Sequence, residues 1–156
     1  MRRDTGIVAA FLAAIAALIL GASSLCAWAV AHGASPRWRL LFRMMCHGIE
    51  RRCLTMFGVP MPICARCTAI YIGLIAGITL FMLLPLIEER LMRMTLYVAT
   101  VPMLIDGVTQ AIGLRESTNA LRIGTGFVAA LAFGIWTLTA IETGEGRGQK
   151  AEGRSV

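Results

Sequence analysis

The chain has 156 residues, of which 57% are hydrophobic and 15% are charged, and its formal net charge is +6. That apolar fraction exceeds what a soluble domain of this length needs for one core. A nucleic-acid partner needs a basic face interleaved with aromatic residues, and because the sequence has no such pattern we expect no nucleic-acid binding. In a membrane protein, the basic residues gather instead beside the lipid head groups.

Four long apolar runs follow one another, at about 6–30, 68–87, 94–112 and 123–141. A helix needs about 20 apolar residues to cross the hydrocarbon core, so the sequence predicts four transmembrane helices. The third run meets this requirement only if Asp106 and Gln110 face protein rather than lipid. The first run follows two arginines, as in a signal peptide, but it is longer than the apolar part of such a peptide, and we expect a retained helix.

The expected fold class is all-α, a multi-pass protein of the cell (cytoplasmic) membrane with one four-helix domain over residues 1–141. Residues 142–156 are Gly-rich and charged, and we expect a disordered polar tail there. Seams of small residues four apart predict close helix packing, either within the chain or against a second copy in a homo-oligomer. They are Ala13, Ala17 and Gly21 in the first helix, Gly73 and Gly77 in the second, and Gly126, Ala130 and Gly134 in the fourth. Basic residues are divided almost equally between the two membrane sides, so the orientation stays open.

The segment between the first two predicted helices begins with a basic and apolar stretch and continues into a cysteine-rich one. Residues 36–45 predict an interfacial helix, lying either along the membrane surface or against the bundle. Four of the five cysteines follow, between positions 46 and 67. Cys64 and Cys67 have the two-residue spacing with which two thiolates grip one tetrahedral ion. Cys46 with His47 or Cys53 can complete the ligand set, which favours zinc, with iron as an alternative.

Two other interpretations of these cysteines remain open. Cys64 and Cys67 come directly before a helix and enclose Arg66, and both the helix N-terminus and the arginine stabilise a thiolate. A quinone-linked thiol–disulfide oxidoreductase needs such a dithiol beside a membrane bundle. The third interpretation is structural, with a disulfide or inert thiols.

A second polar cluster surrounds the third predicted helix. An ionisable residue within a span is a functional hypothesis by default, because burying its charge is costly, and Asp106 is such a residue. Gln110 lies four residues later and shares its helix face. Arg122 falls in the first turn of the fourth helix, where a cation opposes the helix dipole. Its anionic partner is Asp106, Glu116 or a bound phosphate or carboxylate, and the alternative to a ligand site is a structural ion pair between the third and fourth helices.

Four-span topology places the loop arginines on the same membrane side as the cysteines, which predicts one composite site. The candidate catalytic residues are Asp106, Arg66, Arg115 and Arg122. The candidate ligand-binding residues are Gln110, Ser117 and Asn119, and Ser117, Thr118 or Asn119 is also expected to cap the fourth helix. The expected ligand is anionic or a lipid.

Two motifs resemble a prokaryotic family of small predicted integral membrane proteins of unknown function. One is Cys46-His47, then Arg52, then Cys64-Ala65-Arg66-Cys67-Thr68, and the other is the segment 106–126, which begins Asp-Gly. Cys53 occupies a position that is usually serine in that family. The resemblance therefore implies Cys46, His47, Cys64 and Cys67 as the metal ligands, without naming a reaction. Whether the chain is an enzyme, a ligand-binding module or a structural subunit stays open at this point.

Overall fold

Four long α-helices dominate a computed structural model of the chain, which describes residues 3–83, 88–114 and 116–152. They are α1 (Arg3–Ala31), α2 (Ala65–Leu83), α3 (Glu89–Ala111) and α4 (Asn119–Glu152). Each contains a segment long and apolar enough to cross a membrane, which confirms the predicted four-helix, all-α architecture. The domain boundary expected after residue 141 falls inside α4, and it stays a prediction.

Helices α2 and α4 approach each other most closely, through the glycines that the small-residue pattern singled out. A methyl group added at Gly73 would lie 2.5 Å from the carbonyl oxygen of Phe127, and one added at Gly77 would lie 2.4 Å from that of Leu131. Only glycine permits such backbone contact, which is how helices pack in lipid. The small-residue seams of α2 and α4 therefore face each other within the chain. In α1, a methyl group added at Gly21 meets nothing within 4 Å, so a homo-oligomer through that seam stays a prediction.

Two apolar clusters hold the bundle and the loop region. The first joins α1, α2 and α4 through Ala9, Ile78, Phe81, Ile135 and Leu138. The second joins the end of α1 to the segment before α2, through Ala27, Cys46, Met61 and Ile63. Because Cys46 belongs to the second cluster, the cysteine-rich segment is packed onto the bundle.

The segment between α1 and α2 contains a hairpin that the sequence did not predict. A 3₁₀ segment (Pro36–Met44) and a short 3₁₀ turn (Glu50–Arg52) precede strand β1 (Cys53–Met56), which pairs antiparallel with β2 (Val59–Cys64). Phe57 and Gly58 connect the strands with φ values of 55° and 79°, the conformation of a tight type I′ hairpin turn. The predicted interfacial helix over residues 36–45 is thus a 3₁₀ segment, and none of its residues is buried.

Helix α3 is attached to the bundle differently from the others. Asp106 is its only buried residue among those described, and most of its apolar side chains point outward. Its neighbour in the bundle is mainly α4. Asp106 is therefore the residue that α3 buries in the protein. This agrees with the expectation that the third run can span the membrane only if Asp106 faces protein rather than lipid.

Candidate functional site

Three cysteines from three different elements converge at the start of α2. The sulfur atoms of Cys46, Cys64 and Cys67 all lie within 4.8 Å of one another. Cys46 follows the 3₁₀ segment, Cys64 ends β2, and Cys67 lies in the first turn of α2. Tetrahedral zinc with Zn–S bonds of about 2.3 Å separates its sulfurs by roughly 3.8 Å, so small movements would fit the group to such an ion. The three-cysteine group can hold a metal ion.

His47, the fourth ligand implied by the resemblance, does not belong to this group. Cys46 is buried whereas His47 is exposed, so the two neighbouring side chains occupy different environments. The imidazole lines a groove with Arg39 and Arg43 instead. Within residues 3–83, 88–114 and 116–152, no other cysteine, histidine or acidic side chain completes the group.

Cys53 lies beside the group as a protonated thiol. It stands opposite Cys64 in the strand register, and its thiol donates a hydrogen bond to the Ile49 carbonyl at 3.3 Å. Burial, together with the smaller electrostatic effect of the neighbouring Cys46 and Cys64, raises the pKa of Cys53 to about 11. A metal ligand must be deprotonated, so this environment agrees with a three-cysteine set that omits Cys53.

Cys46 has the opposite environment. Hydrogen bonds from the thiols of Cys64 and Cys67 hold the pKa of Cys46 well below its usual value, although burial opposes this effect. Backbone N–H groups of Gly48 and Cys64 add to the stabilisation, and the Cys64 N–H donates to the Cys46 sulfur at 3.2 Å. This environment favours the thiolate of Cys46, which is the form that binds metals and attacks electrophiles.

A chain of hydrogen bonds joins α2, α3 and α4 next to the cysteines. Asp106 is 3% exposed and accepts hydrogen bonds from Arg66 and, at 2.9 Å, from the Gln110 amide. The Gln110 amide oxygen accepts in turn from Arg122 at 3.0 Å. Arg122 also donates to the Asn119 side chain at 2.9 Å. Five of the predicted site residues thus form one continuous network.

The pairing within this network differs from the expected one. Arg122 was predicted to pair with Asp106, Glu116 or a bound anion, but its hydrogen bonds go to neutral amide oxygens. Asp106 instead pairs with Arg66, so the ion pair joins α3 to α2 rather than to α4. Glu116 pairs at 2.7 Å with Arg51, near the hairpin.

The cysteine group and the polar network are electrostatic neighbours. Arg52 and Arg66 repel Arg122, whereas Asp106 and Cys64 attract it. Arg52 precedes β1 and was not among the predicted site residues. The hairpin places Arg52 near Arg122. The only available sequence signal for Arg52 was the resemblance, because the family's pattern also has an arginine at position 52. Arg52, Arg66 and Arg122 therefore lie in the same neighbourhood as the buried carboxylate of Asp106 and the thiol of Cys64.

The remaining predicted residues lie at the start of α4. Thr118 caps the helix, because its hydroxyl accepts from the Leu121 N–H at 3.3 Å. Ser117 is buried, and its hydroxyl donates to the carbonyl of Thr118 at 3.3 Å. Arg115 lies outside the described residues. A ligand-binding role for Ser117 stays a prediction.

Comparison with known proteins identifies relatives in prokaryotes. Residues 46–136 match the model of a family described as predicted membrane protein (DUF2085), a range that contains the cysteine group and the polar network. Uncharacterized protein MJ1492 of Methanocaldococcus jannaschii is 36% identical over 100 residues, which are 63% of this chain and 64% of that relative. An uncharacterized protein of Methanothermobacter thermautotrophicus is 37% identical over 99 residues, 62% of this chain and 86% of that relative. The matched part thus spans slightly less than two thirds of the first relative, and no solved structure matches the chain.

Proposed function

The chain belongs to the family described as predicted membrane protein (DUF2085), and on that premise we propose that it binds a zinc ion through Cys46, Cys64 and Cys67 at one face of the membrane. The observation that carries this proposal is the convergence of three sulfurs, from three separate elements, to within 4.8 Å. An ion held there would tie the loop, the hairpin and α2 together, because metal binding is coupled to folding.

A three-thiolate site leaves one position of a tetrahedral ion for an external ligand. Structural zinc sites have four protein ligands, whereas sites that act on a ligand have three and an open position. In the part of the chain that the structure describes, no fourth protein ligand joins the group. The proposed ion therefore takes its fourth ligand from water or from a bound molecule.

The neighbouring charges favour an anion as that molecule. Arg52, Arg66 and Arg122 outnumber the single carboxylate of Asp106. The Nε of Arg66 is buried and has no hydrogen-bond partner among the described residues. Arg66 pairs with Asp106, whereas Arg122 is buried and its hydrogen bonds to described residues go to neutral amide oxygens. Burying a cation without an anionic partner is costly, and guanidinium groups suit phosphate and carboxylate oxygens. We infer that the polar network binds an anionic group, free or as part of a lipid, beside the metal ion.

The metal content of the detergent-purified protein tests the first part of this proposal. Elemental analysis should find about one zinc per chain, and it also identifies iron if iron is the ion. Cys46→Ser, Cys64→Ser and Cys67→Ser should each lose the metal. Cys53→Ser is the matched control, because Cys53 is on the same hairpin but outside the group. A wild-type protein without metal, or a Cys53→Ser variant that loses it equally, would overturn the proposal.

A thiol–disulfide oxidoreductase is the second candidate, favoured by the hydrogen-bonded thiolate of Cys46 beside two further thiols. In that reaction the Cys46 thiolate and one neighbouring thiol become one disulfide and release two electrons and one proton, which together with a second proton from solvent reduce one quinone to a quinol. Incubating metal-free protein with a soluble quinone should then consume two thiols per chain and form one quinol. No thiol loss on that treatment would exclude this candidate.

A further inference from the structure

A second basic site lies beside the residues that follow Cys46. It is a groove of about 220 Å³ between the 3₁₀ segment and the chain that follows it. Arg39, Arg43 and His47 line it together with Glu50, and Gly48 and Pro62 complete its wall. None of these residues belongs to the cysteine group or the polar network, so the groove is separate from the site described above.

The groove contains hydrogen-bond donors without acceptors. Glu50 pairs with one nitrogen of Arg39 at 2.6 Å and neutralises that charge. The Nε of Arg39 is nevertheless buried and lacks a partner within the described residues. Arg43 and His47 likewise make no side-chain hydrogen bond or ion pair with that part of the chain. The groove therefore presents a net positive charge and the donors of Arg43 and His47 to whatever enters it.

The position of the groove points to the lipid head groups. The 3₁₀ segment begins five residues after α1 ends, at the end of a candidate membrane span. Its Trp38, Leu41 and Met44 side chains are 58%, 67% and 96% exposed in the isolated chain. A segment that combines exposed apolar side chains, a tryptophan and arginines is typical of the membrane interface.

We propose that this groove binds the phosphate group of an anionic phospholipid, with Arg43 and His47 as donors. Arginine forms paired, charge-assisted hydrogen bonds to phosphate oxygens, and the exposed apolar side chains beside it would lie among the acyl chains. The groove is smaller than the roughly 300–1,000 Å³ of drug-sized ligand pockets, so it suits a head group rather than a whole lipid. This site is independent of the proposed metal ion.

Lipid retention by the full-length protein tests the proposal. The purified protein is mixed with equal amounts of phosphatidylglycerol and phosphatidylcholine, and native mass spectrometry counts the lipids that stay bound. Wild type should retain phosphatidylglycerol selectively. Arg43→Gln combined with His47→Gln should lower that retention about tenfold, since each basic group near the membrane surface contributes to anionic-lipid binding. Arg37→Gln is the matched control, because Arg37 is on the same segment but does not line the groove.

The outcomes separate this site from diffuse attraction and from soluble phosphate. An equal loss in Arg37→Gln would show that general surface charge attracts the lipid and would overturn the proposal. Binding of inorganic phosphate through Arg43 and His47, without selectivity for phosphatidylglycerol, would overturn the lipid as occupant. An unchanged circular dichroism spectrum and thermal unfolding midpoint in the variants report an intact fold, whether or not the protein holds a metal ion. If the double variant does not fold, Arg43→Gln alone should lower retention about threefold, and no decrease would overturn the proposal.

Discussion

Arg66 of α2 and Asp106 of α3 form an ion pair in which the carboxylate is almost fully buried. The pair links two helices that otherwise have little contact, because α3 packs mainly on α4. Gln110 extends the link from Asp106 to Arg122 of α4.

Replacing Asp106 with asparagine should destabilise the protein by about 2–4 kcal/mol, because Arg66 would keep a largely buried charge without its partner. The effect should appear as a lower midpoint of thermal unfolding in detergent, followed by circular dichroism. Glu116→Gln is the control, because the side chains of Arg51 and Glu116 are 64% and 71% exposed and ion pairs between exposed side chains contribute little to stability. Equal midpoints for the Asp106 variant and the wild type would contradict a structural role for the pair.

The pH at which Cys53 becomes reactive should be higher than for an ordinary thiol, because its side chain is buried. Its pKa is raised to about 11 from an ordinary value of 9.0, so the reactive thiolate becomes scarcer in the folded protein. At pH 8 the thiolate fraction should be about 1 in 1,000, against about 1 in 10 for an ordinary thiol. Iodoacetamide labelling of Cys53, mapped by mass spectrometry, should therefore still rise steeply between pH 8 and pH 10. In the detergent-unfolded chain the same residue should react at an ordinary thiol's rate, and identical pH profiles in the two states would refute the assigned environment.

Gly77→Ala should separate α2 from α4. The added methyl group would lie 2.4 Å from the carbonyl oxygen of Leu131, and a backbone atom cannot move away cheaply. We expect a loss of about 1–3 kcal/mol in the free energy of unfolding, as for other overpacked interiors. Gly124→Ala is the matched control on α4, where a methyl group meets nothing within 4 Å. Because alanine favours helix, this control should be neutral or slightly stabilising, and similar losses in both variants would contradict close packing at Gly77.

Thr118→Ala should remove the cap of α4 and cost about 1 kcal/mol, since the Leu121 N–H loses its side-chain acceptor. Thr125→Ala serves as the comparison, because the Thr125 hydroxyl bonds only to a carbonyl of its own helix. Hydrogen exchange at the first turn of α4, followed by mass spectrometry, should increase in the Thr118 variant alone. Unchanged exchange there would mean that another group caps the helix.

The helices and their seams were predictable from the sequence because a bilayer imposes length and hydrophobicity on each span separately. Asp106 and Gln110 were also predictable as inward-facing, since lipid excludes them. The hydrogen-bond and ion-pair partners of these residues were not predictable, because pairing depends on how the helices are oriented relative to one another. Arg122 thus binds Gln110 rather than a carboxylate, and Arg66 takes Asp106. The hairpin was missed because β1 and β2 are short and β2 contains two prolines, Pro60 and Pro62. Because the hairpin was not predicted, neither the position of Arg52 near the polar network nor the separation of His47 from the thiols could be predicted.

The way α3 is held has a consequence for how the chain enters the bilayer during synthesis. α3 is the least apolar of the four candidate spans. Its one buried residue among those described is Asp106, whose carboxylate has no compensating charge without Arg66 of α2. Insertion machinery resists such a segment, because a lone carboxylate is costly in hydrocarbon. α2 leaves the ribosome first, so Arg66 is already at the membrane when Asp106 arrives. We therefore expect α3 to need α2 beside it in order to insert, so that the order of the helices along the chain is itself part of the route to the folded state.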